Sequence, residues 1–218
     1  MNQTIVVAGI NHFDPLGREK IINLLNKLRI NKNFIPDCIA VEWDEIFAKI
    51  IRNQRDNFIK LASGRNLGLS NYILRNLADA MAYEADSHLD IYPNLPILWL
   101  DKRYEKTIPD SVKNFSIYRL DIYENFISKL PNDNKNNLEE ISKIGWSLCE
   151  PSAATERDAL FFDILNSEIK NCYKNIFIVV GANHANLNIE GSFVNRLITG
   201  NYNTHVFILN ELVDFIVE

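Results

Sequence analysis

Two short apolar runs, each closed by Gly-x-x-His, constrain the fold of this chain more than any other feature. Residues 4–8 (TIVVA) lead into Gly9-Ile10-Asn11-His12, and residues 176–180 (IFIVV) lead into Gly181-Ala182-Asn183-His184. A strand with one wet face alternates apolar and polar residues. These runs do not alternate, so both faces must be covered, which is the pattern of a parallel strand between helical layers. A glycine at the strand's end is expected to let the chain turn sharply. The histidine three positions on is then presented at the carboxyl edge of the sheet, where ligands of open α/β folds collect.

The rest of the chain supplies partners for such strands. Residues 38–41, 97–100 and 204–209 read as further strands, and helical periodicity fills the spaces between them. A helix is expected from Asp14 as cap, with Pro15 in its first position, to about Ile30. After Trp43, the spacing of Ile46, Phe47, Ile50, Ile51 and Phe58 predicts one amphipathic helix, and residues 62–70, with Gly64 and Gly68, read as a loop. A helix from Ser70 to about His88 would place Ile73, Leu77, Ala80, Glu84 and His88 on one face. Residues 110–147 are helical but interrupted, with 131–137 as a surface loop. Thr155 and Asp158 have the spacing of a capping box, and a last helix runs to about Thr199. Strands alternating with helices predict a single α/β domain over residues 1–218, with a largely parallel central sheet flanked by helices.

Composition narrows the function classes. A net charge of −5 argues against a nucleic-acid binder, which needs a basic face for phosphates; the basic residues between Lys49 and Arg65 are interrupted by Asp56 and read as a solvated helix face. No run approaches the roughly 18–20 apolar residues of a membrane span, and the N-terminus enters a strand without a charged leader. Cys38, Cys149 and Cys172 are an odd number without C-x-x-C spacing. Reduced thiols and a cytoplasmic location are therefore expected. The Walker loop, G-x-G-x-x-G and the G-x-S-x-G elbow are all missing, so nucleotide binding and serine hydrolysis have no support.

Polar residues collect where strands end: His12, Glu42, His184, and Asp101 with Arg103 after the Trp99 strand. If those strands are neighbours, His12, Glu42 and His184 form a set suited to a catalytic divalent metal such as Zn, Mn or Co; the alternative is a hydrogen-bonded polar cluster. Arg157 lies in a first helical turn, where a cation opposes the macrodipole, so it needs a carboxylate or a substrate oxyanion as partner. Glu84 lies on an apolar stripe, where desolvation would raise its pKa and suit it to activating water; the alternative is a helix-surface pair with His88. His205 reads as strand packing.

Six segments in this order resemble the TraB/PrgY family, which is related to the TIKI proteins and more distantly to the erythromycin esterases and ChaN-like proteins. They are VAGINH, PDCIAVEWDE with Glu42, MAYEAD with Glu84, LDKRYEKT with Asp101, Arg103 and Thr107, TERDAL with Glu156, Arg157 and Asp158, and VVGANHANL. The resemblance implies an α/β fold with a site at the strand ends. Its TIKI branch implies metal-dependent peptide cleavage, its esterase branch hydrolysis by a His/Glu-assisted water, and its ChaN-like branch haem binding. Lys102 splits the Asp-Arg pair of the family's pattern.

The leading expectation is a metal-dependent hydrolase of a peptide or related amide bond. In it His12, Glu42 and His184 hold the metal, Glu84 helps activate water, Arg157 stabilises the oxyanion, and Asp101 and Arg103 shape the site. The rivals are a metal-free esterase-like hydrolase and a non-catalytic protein that binds a peptide, a small ligand or haem.

Overall fold

A computed structural model describes residues 3–104, 107–169 and 172–210. Glu105 and Lys106 of the LDKRYEKT segment therefore lie outside the described residues. Five strands, β1 (Thr4–Ile10), β2 (Cys38–Val41), β3 (Ile97–Trp99), β4 (Asn175–Gly181) and β5 (Asn203–Ile208), form one sheet in the order β3-β2-β4-β1-β5. Every pairing is parallel. The helices are α1 (Gly17–Asn31), α2 (Glu45–Asn53), α3 (Arg55–Gly64), α4 (Asn71–Asp79), α5 (Tyr83–Asp86), α6 (Asp110–Lys113), α7 (Phe115–Ser128), α8 (Leu138–Ser147), α9 (Glu156–Glu168) and α10 (Phe193–Thr199).

The unbroken apolar character of the central strands follows from two cores. Val6, Ala8 and Ile10 of β1, with Ile39, Val41, Phe177 and Val179, face Leu24, Leu77, Tyr123 and the other buried residues of the long first helical layer. The intervening residues Ile5, Val7, Ala40, Ile176, Ile178 and Val180 face Phe161, Leu165, Phe193 and Leu197 of α9 and α10. Period-two alternation therefore distributes one apolar run between two layers.

The helical expectations hold in position but not in continuity. The stripe after Trp43 is divided at Gln54 into α2 and α3, and α3 extends to Gly64 into the expected loop. The helix expected from Ser70 to His88 breaks after Asp79 and resumes as α5 and a 3-10 turn (Ser87–Asp90). Ser70 does cap α4 through its side chain, and Thr155 and Asp158 do form the capping box of α9. Asp14 caps the turn that leads into α1, its carboxylate accepting from the Leu16 N–H at 2.9 Å, but the helix itself starts at Gly17, so Pro15 lies before its first position. The same buried carboxylate also accepts from Lys20 Nζ at 2.7 Å, Ser142 Oγ at 2.7 Å and Trp146 Nε1 at 2.8 Å, tying α1 to α8. His205 is exposed on the edge strand β5, not packed. The three cysteines are free, and no described helix is long and apolar enough to cross a membrane.

His88 is buried in the 3-10 turn, and neither ring nitrogen has a hydrogen-bond partner. Burial pushes its imidazole down to about 4, against the opposing pull of Asp86. Between pH 6.5 and about 4 the unfolded chain holds a proton on this group that the folded chain lacks, so stability falls as pH falls through that window. The full difference is about 3 kcal/mol. His88→Leu should keep its stability at pH 7.5 and lose this part of the slope in urea melts run from pH 7 to 4.5. An unchanged slope would show that His88 is protonated in the folded protein.

Candidate functional site

The strand order places the ends of β2, β4 and β1 side by side. Ile10 of β1 is in register with Gly181 of β4, and Val41 of β2 with Val179. The chain then leaves β2 with the Glu42 N–H donating to the Val179 carbonyl at 3.2 Å. Glu42 is consequently carried to the level of both Gly-x-x-His motifs, where it is 3 % exposed.

Three donors from three elements converge on this carboxylate. The Gly181 backbone N–H donates to Oε2, His12 Nε2 stands 3.3 Å from Oε1, and Arg157 Nη2 stands 3.4 Å from Oε1. Burial by itself would raise the Glu42 pKa. The neighbouring His12, followed by His184 and Arg157, outweighs it and holds the group well below the carboxylate range. His12 is bracketed on its other nitrogen by Glu84, with Nδ1 and Oε1 3.0 Å apart. Burial would lower the imidazole pKa, but Glu42 and then Glu84 overcome that and hold it up at about 10. Glu84 is fully buried, and desolvation keeps its carboxyl above the ordinary value despite the pull of His12 and Arg119. Two carboxylates on one imidazole thus have opposite tendencies, a separation seen where acid and base roles are divided.

His184 is held in the same way by a different acid. Its Nδ1 lies 2.8 Å from Asp158 Oδ1, which also accepts from the Phe193 N–H at 2.7 Å at the start of α10. The other Asp158 oxygen closes the capping box of α9 through the Thr155 N–H at 2.8 Å. Burial opposes ionisation of Asp158, but His184 and the Thr155 N–H prevail and hold its pKa at about 2. Arg157 spans Glu42 and Asp101, with Nη2 3.1 Å from Asp101 Oδ2, and lies over the Phe161 ring at 4.9 Å. Asp101 in turn binds Arg103 Nε at 2.6 Å.

The expected residues His12, Glu42, Glu84, Asp101, Arg103 and Arg157 therefore form one connected network, and His184 lines the same cavity as His12 and Arg157. Glu84 pairs with His12 rather than with His88. Arg157 finds carboxylates of two neighbouring strand ends. Among the described residues, no three His, Cys, Asp or Glu side chains are gathered into a metal-binding group as they stand.

Two contributors were missed in the sequence. The capping spacing accounts for Asp158 by itself, yet the residue also orients His184. Arg119, fully buried on α7, donates to the His12 carbonyl and, at 3.3 Å, to the Ala80 carbonyl. Its signal was present: Ser116, Arg119, Tyr123 and Phe126 follow helical spacing and are all buried.

The motif glycines serve close approach, not turning. Gly9 and Gly181 are still within β1 and β4, and neither has positive φ. A Cβ at Gly181 would stand 2.8 Å from His12 Nε2 and 3.2 Å from Glu42 Oε2; one at Gly9 would stand 2.6 Å from Ala185 Cβ. Comparison with protein-family models, curated proteins and solved structures finds no match to this chain.

Gly181→Ala should consequently displace the His12 ring and cost about 1–3 kcal/mol. Gly64→Ala, where a Cβ meets nothing within 4 Å, should be neutral or stabilising. Long-range imidazole NMR checks the first effect: the His12 resonances should shift while those of His205 stay. Unmoved His12 resonances in folded Gly181→Ala would contradict the steric reading.

Proposed function

We propose that the chain is a hydrolase that cleaves a peptide or related amide bond beside His12, at the joined ends of β1, β2 and β4. The observation that carries this reading is the bracketing of one imidazole by two buried carboxylates, Glu84 on Nδ1 and Glu42 on Nε2, at the wall of a cavity of about 680 Å³. Buried ionisable groups with divergent pKa tendencies in a cleft are the usual mark of acid–base chemistry. The ordered resemblance to the TraB/PrgY family supports the same reading, because its six segments contribute the residues of this network. Free cysteines agree with a reducing, cytoplasmic setting.

The donor set fits a divalent ion in kind. His12, Glu42 and His184 would hold it, since each imidazole has Nδ1 on a carboxylate, the support that metal-binding histidines usually have. The 3.3 Å between His12 Nε2 and Glu42 Oε1 is close to the separation of two donors bound to one tetrahedral ion at about 2.0–2.1 Å. Zn, Mn or Co bound there would polarise a carbonyl and acidify water. The chain's own residues orient and balance charge: Glu84 and Asp158 fix the two rings, the Gly181 N–H fixes Glu42, and Arg157 offers a cation to the oxyanion. Asp101 and Arg103 hold Arg157 and the rim in place.

A metal-free variant of the same hydrolysis has its own support. Arg157 already supplies a cation to Glu42 Oε1, and His12 is positioned to pass a proton between water and the leaving nitrogen. The test uses protein without a histidine tag, analysed for bound metal and assayed on a peptide library with and without chelator. Wild type should carry about one divalent ion per chain and His12→Ala/His184→Ala none. Glu84→Gln should lower turnover by about 10²–10⁴-fold while keeping ligand affinity. Turnover indifferent to chelator would select the metal-free variant. Ligand binding without turnover of any substrate would make the chain a binding protein and sink the hydrolase reading.

A further inference from the structure

The site opens in two directions. The cavity of about 680 Å³ and a second of about 320 Å³ share His12, Phe13 and Arg157 as a common wall. The smaller one is walled by six aromatic rings, Phe13, Trp43, Phe47, Tyr104, Phe115 and Tyr118. Phe47 is the centre of the group: Tyr104 stacks on it at 5.4 Å, while Trp43 and Phe115 meet it edge-on at 4.8 and 5.5 Å. By contrast Phe58 and Tyr123, 6.1 Å apart, are both fully buried. Around this cavity the rings leave a space open, and Tyr118 is 52 % exposed.

The charges on its wall are not evenly available. Asp44 caps α2 with one oxygen and accepts the Tyr104 N–H with the other, and Asp101 holds Arg103 and Arg157. Glu42 is engaged by His12, Gly181 and Arg157, so each carboxylate already has its partners. Arg103 is different: tethered through Nε to Asp101 and lying over the Tyr104 ring at 5.4 Å, its side chain is still 47 % exposed. Flat apolar walls with a guanidinium at the rim recognise an aromatic ring that carries an anion.

We propose that the 320 Å³ cavity is a subsite for an aromatic amino-acid residue bearing a free carboxylate, its ring among Phe47, Tyr104 and Phe115 and its carboxylate on Arg103. This deepens the hydrolase reading and rests on it for one consequence. A substrate spanning both cavities presents its amide to His12 and Arg157. Hydrolysis then adds the water oxygen to the acyl carbon, breaks the C–N bond and protonates the leaving nitrogen, releasing a free aromatic amino acid.

The binding test uses probes with no cleavable bond, titrated calorimetrically: 3-phenylpropionate, 4-methylpentanoate and 3-phenylpropionamide. The aromatic acid should bind roughly tenfold tighter than the aliphatic acid, and by a similar factor over the amide. Tyr104→Leu and the solvent-exposed Tyr118→Ser should reduce the ring preference, and Arg103→Gln the carboxylate preference, each in protein with a native circular-dichroism spectrum. No binding, equal binding of the three probes, or preferences untouched by these variants would overturn the subsite. Probe binding without turnover of any peptide would leave the subsite standing and remove the hydrolase reading. Peptide turnover with no aromatic preference and no inhibition by 3-phenylpropionate would do the reverse.

Discussion

The buried carboxylate of Glu42 is the constraint on which the rest of the site depends. An ionised carboxylate taken out of water needs hydrogen bonds and positive charge around it, or it takes up a proton instead. Here the requirement is met by a strand-end N–H from Gly181, by His12 and by Arg157. None of these is near Glu42 in sequence, and only the order β2-β4-β1 brings them together. The same requirement accounts for Arg157 in the first turn of α9. A cation at a helix N-terminus loses about 0.3–1 kcal/mol to the macrodipole. Charge-assisted hydrogen bonds to two carboxylates, at about 1.5–3 kcal/mol each, outweigh that.

The two Gly-x-x-His motifs are alike in sequence and alike in what their glycines do, but they are not copies of one site. Each glycine is needed because another element comes too near for a Cβ: His12 and Glu42 at Gly181, Ala185 and Ile208 at Gly9. Each histidine is fixed through Nδ1 by an acid from a distant helix, Glu84 from α5 and Asp158 from α9. These helices lie on opposite faces of the sheet, since α5 belongs to the first core and α9 to the second. The site is thereby clamped from both layers.

The parallel sheet, its five strands and the polar strand ends were legible because continuous apolar runs have few other uses. Helix continuity was not, because periodicity records which residues face the core and not whether the backbone between them is unbroken. Ile73, Leu77, Ala80, Glu84 and His88 are all buried, as the stripe required, yet the helix breaks between Asp79 and Tyr83. The partner of Glu84 was also hidden. An apolar stripe shows that a carboxylate is out of place, but the imidazole that justifies it comes from 72 residues away. Arg119 lay on a readable stripe, but its acceptors are backbone carbonyls, which carry no mark in sequence.

Arg119 and Glu84 together show how tightly His12 is held and what that holding costs. Both are fully buried, and each keeps one polar atom without a partner, Arg119 Nε and Glu84 Oε2. A buried unsatisfied group costs about 1–3 kcal/mol, so an apolar filling of the same space would serve stability better. The charges offset one another at short range, since Arg119 lowers the pKa that burial raises on Glu84. They act on His12 from two sides: Glu84 on the ring, Arg119 on the backbone carbonyl. The flanking residues add to the grip, because Tyr83 Oη donates to the Asn11 carbonyl at 2.6 Å and the Arg119 guanidinium lies over the Phe13 ring at 4.6 Å. Three consecutive residues are thus fixed at a strand end by groups whose burial is unfavourable on its own. A packing role for His12 would not require them; a fixed direction for its imidazole does.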